Sequence, residues 1–76
     1  MNISLIVKPH GKVDQYGYTY TTVTASHFLG GTTHTEEDYF SYHTSDDLSV
    51  INSKLKDVKI SVLSKLIISL VNSETM

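Results

Sequence analysis

The hydrophobic period of this 76-residue chain changes once, near residue 45. Before that point β-branched and aromatic residues alternate between turn signals. After it, apolar residues return every three or four positions. A chain this short builds one core, so the change of period predicts a single α+β domain over residues 1–76. Residues 1–44 form its β-meander and residues 45–73 its helical part.

Three strands are expected in the order 1-2-3, antiparallel. Residues 2–8 place Ile3, Leu5 and Val7 on one face, and Pro9-His10-Gly11-Lys12 reads as the first turn. A second strand covers Val13 to Ser26, with Tyr16, Tyr18 and Tyr20 on one face. A third covers Thr32 to His43. A four-residue first turn sets Leu5 opposite Tyr16 and Ile3 opposite Tyr18. A three-residue loop over Leu29–Gly31 sets Tyr20 opposite Phe40 and Tyr18 opposite Tyr42. Both choices put the tyrosines, Phe40 and the apolar residues of strand 1 on one face, the expected core. A two-residue Gly30-Gly31 turn would divide them, because a one-residue slip turns a strand's side chains over.

Ser45 is the expected N-cap of a helix, with Asp46 and Asp47 in its first turn. Leu48, Ile51, Leu55, Val58, Val62 and Leu66 make the stripe of a helix packed on a sheet. Asp57 offers a second cap, giving one or two helices on one face of the sheet. The competing reading of Val58–Val62 is a short strand, since β-branched residues favour one.

The chain has no cysteine, so neither a disulfide nor a thiolate metal site staples it. With no signal-peptide pattern at residues 1–8 and no apolar run long enough to span a bilayer, a cytoplasmic setting without membrane contact is expected. All six basic residues are lysine and the net charge is −2, so direct nucleic-acid binding is not expected. Arginine is absent and alanine occurs once, with lysine, isoleucine, asparagine and serine in their place, a usage that follows AT-rich coding as in many phages and mobile elements.

Four histidines invite a metal reading, and His34, Glu36 and Asp38 share one strand face. A metal needs three or four converging ligands, so a solvated polar face is the simpler account, and no metal or cofactor is expected. No nucleophile motif or phosphate loop appears, and an enzyme is not expected. The tyrosine face resembles a platform for stacking bases, but the expected register commits it to the core.

Two features point to binding. Strand 1 is expected to end against Thr19 or Tyr20, leaving residues 21–38 as a protruding two-stranded arm. That arm is tipped by Phe28 and Leu29 and carries Glu36, Glu37 and Asp38. These five residues form the candidate protein-binding site, with the tip folding back onto the domain as the bland alternative. The apolar residues from Val58 to Val71 also exceed one helix face, which points to a homodimer. The expectation is a small non-enzymatic protein-binding module. Its concrete form is a phage or mobile-element inhibitor or regulator that occludes a host protein with a basic, nucleic-acid-handling surface. The alternative is a homo-oligomeric structural or accessory subunit.

Overall fold

The computed structural model describes residues 2–74, without the side chain of Glu74. Residue 1 and residues 75–76 of the expected domain lie outside the described residues. Strands β1 (Ser4–Pro9), β2 (Tyr18–Leu29) and β3 (Thr32–His43) form an antiparallel meander in the order β1-β2-β3, followed by one helix, α1 (Leu48–Glu74). The α+β architecture is the one that the change of period predicts.

The registers differ from expectation at both turns. The β2–β3 connection is a two-residue turn, in which Gly30 and Gly31 both have positive φ (62° and 83°). Two glycines tolerate this mirror-image turn, whose twist matches the flanking strands. It pairs Leu29 with Thr32 and Thr21 with Phe40, overturning the three-residue loop. Phe40 and Tyr42 therefore face one way, and Tyr18 and Tyr20 the other.

The first turn does not fall at Pro9–Lys12. The chain runs on beside β2, with the His10 N–H donating to the Tyr20 carbonyl and the Thr19 hydroxyl to the Lys12 carbonyl. It reverses at Asp14–Gly17, where Asp14 Oδ1 accepts the N–H groups of Tyr16 (2.8 Å) and Tyr18 (2.9 Å). A short polar side chain that bonds the backbone two residues on makes its own turn. Leu5 consequently pairs with Ala25 and Val7 with Val23. β1 thus flanks Thr21–Ser26, the stretch expected to protrude, and only residues 27–34 of the hairpin extend past it.

Hydrogen-bonded pairs alternate along an antiparallel ladder. Since His10 bonds Tyr20, Lys8 and Ile6 point their backbone groups at β2, while Leu5, Val7 and Pro9 point theirs outward. Pro9 therefore removes no bond from the β1–β2 ladder.

α1 runs unbroken over 27 residues, with no second start at Asp57 and no strand at 58–62. Burial of Val62, Leu66 and Leu70 against the sheet outweighs the modest helix propensity of the β-branched residues. Ser45 is not its cap. The Asp47 carbonyl accepts the first helical N–H groups, from Val50 and Ile51, while Ser45 Oγ bonds His43 Nδ1 at 2.6 Å.

The core joins Val23 and Ala25 of β2 to Val62, Leu66 and Leu70 of α1, with Thr21 and Phe40 also buried. Tyr18, expected in this core, is 52% exposed. α1 lies over β2 and β3, and none of its Cα atoms comes within 8 Å of one in β1. The molecule is a bar of 46 × 20 × 18 Å. Its radius of gyration is 14.8 Å, against about 11 Å for a compact chain of this length. A single helix leaves much of the sheet uncovered. Among the described residues no helix is long and apolar enough to cross a membrane.

Candidate protein-binding face

Side chains alternate across a strand, so β2 commits its odd residues to α1 and its even residues to the opposite side. On that open side stand Tyr18, Tyr20 and Phe28 of β2, Tyr39 and His43 of β3, and Ile6 and Lys8 of β1. Tyr39 is 63% and Phe28 67% exposed.

The rings form two rows across the strands. His10 stacks on Tyr20, with centroids 4.2 Å apart and planes 19° apart, and Tyr39 meets Tyr20 edge-on at 6.0 Å. Beside this row, Tyr18 meets His43 edge-on at 4.9 Å. Offset-stacked and edge-on pairs suit the ring quadrupole. Three shallow hollows meet at Tyr20. One leads towards Lys12 and Asp14, one towards Tyr39 and Glu37, and one towards Lys8 and Ile6.

His43 anchors one end of the face. Its Nδ1 accepts the Ser45 N–H (3.0 Å) and contacts the Ser45 hydroxyl, and its Nε2 donates to the Tyr16 carbonyl (2.9 Å). The Asp46 carboxylate accepts the His43 backbone N–H at 3.0 Å, and the Thr44 N–H donates to the Gly17 carbonyl. The turn before β2 is thereby tied to the segment that starts α1.

The five residues of the expected tip-and-acid site do not form one patch. Phe28 stands on the open face, while Leu29 is partly buried against the core. Glu37 is on the open face, where its Oε2 accepts the Thr24 hydroxyl at 3.1 Å. Glu36 and Asp38 face the helix side, and Asp38 pairs with Lys65 at 3.3 Å. The Tyr39 backbone N–H, and then the Lys65 ammonium, hold the Asp38 carboxyl below its ordinary value. His34 shares that side with Glu36 and Asp38, but among the described residues no three His, Asp or Glu side chains converge to hold an ion.

The expected register commits these tyrosines to the core and so conceals the open face. Gly30-Gly31 was the available signal, since a two-residue turn there separates Tyr18 and Tyr20 from Phe40. The charges flanking the rings are mixed, with Lys8 and Lys12 offset by Asp14 and Glu37, and they make no cationic track for a phosphate backbone. The arrangement suits contact through rings, hydroxyls and short polar side chains. No family model, no curated protein and no solved structure matches this chain.

Proposed function

We propose that the protein is a non-enzymatic binding module that occludes the surface of a partner protein with the open, ring-bearing face of its sheet. The observation that carries this reading is the uncovered cluster of His10, Tyr18, Tyr20 and Tyr39. Tyrosine supplies large, rigid contact area at low entropic cost and keeps a hydroxyl for hydrogen bonding, which is why binding surfaces favour it. The threonines and serines between the rings supply adaptable polar contacts. The partner is a host protein in the form of this proposal that the phage-like composition suggests. Glu37, in place of the larger acidic arm, is the carboxylate on this face available to a basic surface on it.

The test compares proteins captured by tagged wild type with those captured by Tyr20→Ser/Tyr39→Ser and by Ile67→Lys on the helix. A partner retained by Ile67→Lys and lost by the tyrosine variant supports the reading. A partner lost only by Ile67→Lys moves the site to the helix. Single-stranded oligonucleotides that quench the tyrosine emission at physiological salt would replace a protein ligand with a nucleic acid.

A further inference from the structure

The helix side of the molecule carries two separate uncovered apolar strips. On β1, Leu5 and Val7 point to the side occupied by α1, yet each remains 38% exposed because α1 lies over β2 and β3. On α1, Ile60, Ile67 and Val71 are exposed along the arc pointing away from the sheet, with Ile67 48% exposed. Ser64 interrupts that arc, and no charge falls on it between residues 60 and 71. Lys65 lies on the β3 side of the helix, tied to Asp38. Leu63, partly buried, lies on the opposite side, towards β1.

The strips are complementary in kind. The sheet lacks a helix over β1, and the apolar outer arc of the helix lacks a surface packed against it. One copy of this chain offers what a second copy is missing. We propose that two copies stack about a two-fold axis, with α1 of each lying beside α1 of the other and over the other's β1. Leu5 and Val7 then meet the partner copy's Ile67 and Val71, in an isologous interface formed by one patch used twice.

The competing two-copy arrangement pairs β1 with β1 edge to edge. Strands lie about 4.8 Å apart, so a helix centred between β2 and β3 would stand about 19 Å from its counterpart across that six-stranded sheet. Helices pack at about 8–10 Å, so Leu5 and Val7 would remain uncovered beneath a gap one helix wide. Stacking covers both strips, whereas edge pairing covers neither.

The test is sedimentation of the wild-type chain across micromolar concentrations, beside Ile67→Lys and Val7→Lys. A wild-type species of twice the 8.5 kDa chain mass is expected, with both variants at the single-chain mass and retaining wild-type far-ultraviolet circular dichroism. The chain has no native cysteine, so the geometry is read by mixing Leu5→Cys protein with Ile67→Cys protein under oxidation. The mixed disulfide should form in several-fold excess over that from Ile6→Cys, which points to the other face. A single-chain mass at every concentration overturns the proposal. So does a dimer unmoved by either lysine variant, or one in which Leu5→Cys cross-links only to itself, as edge pairing requires. Tyr20→Ser/Tyr39→Ser should leave the dimer intact, which separates this surface from the open face.

Discussion

The imidazole of His43 occupies the space that a side chain on residue 17 would need. A Cβ built on Gly17 would stand 2.5 Å from His43 Nε2, and Gly17 has φ of 86°. Backbone conformation and sterics both require glycine here. Gly17→Ala should therefore cost about 2 kcal/mol or more, from a left-handed alanine and a displaced ring. In a His43→Ala background the same change should cost only the backbone part, about 1 kcal/mol. Urea melts of the four proteins measure this coupling, and equal costs in both backgrounds would deny the contact.

The open face and the core should respond differently to truncation. Tyr39→Ala removes an exposed ring and should change stability by less than about 1 kcal/mol. Leu66→Ala empties a fully buried position and should cost about 2–5 kcal/mol or unfold the domain. A reversed order in denaturant midpoints would mean that the tyrosines are the core.

Asp38 gives a pH signature. Its carboxyl titrates below the ordinary 3.8, so its contribution to stability is complete above that value and is lost as pH falls through the lower folded value. The wild-type melting temperature should fall more steeply with acidification than that of Asp38→Asn, the two curves converging at the acid end. Parallel curves would show that the Tyr39 and Lys65 contacts are absent in solution.

The hairpin turn is testable through residue choice. Gly30→Asn should be close to neutral, since asparagine tolerates the left-handed region, whereas Gly30→Val should cost about 1–2 kcal/mol. Amide exchange protection at Leu29 and Thr32 would report whether the two-residue register survives in each.

Element types were legible because periodicity reports them directly. The alternation through 18–29 and 32–43 and the stripe through Val62 and Leu66 are visible without knowing any contact. Register was not legible, because it depends on turn geometry. Two expectations are mutually consistent and both wrong: the first turn sets Tyr18 on the face of Ile3 and Leu5, and the three-residue loop sets Tyr18 and Tyr20 on the face of Phe40, whereas the observed pairings do neither. The competition that Asp14 wins at the first turn involves side-chain bonds to Tyr16 and Tyr18, which a turn signal at Pro9 outweighs when only residue preferences are read. Of the candidate binding residues, Phe28 and Glu37 lie on the open face, while Glu36 and Asp38 are separated from them by the pleat itself.

Pro9 lies on β1 with its backbone directed away from β2, at the free margin of the sheet. That margin would otherwise be a template on which further chains add without limit, through the unbroken apolar run Leu5-Ile6-Val7. A ring in place of an N–H withholds one donor from any incoming strand, and the adjacent Lys8 adds a charge that successive layers would have to stack. The cost to the native ladder is nil, so the position guards against fibril growth without weakening the fold. Pro9→Val should accordingly leave the melting temperature nearly unchanged while shortening the lag before thioflavin-positive aggregates form.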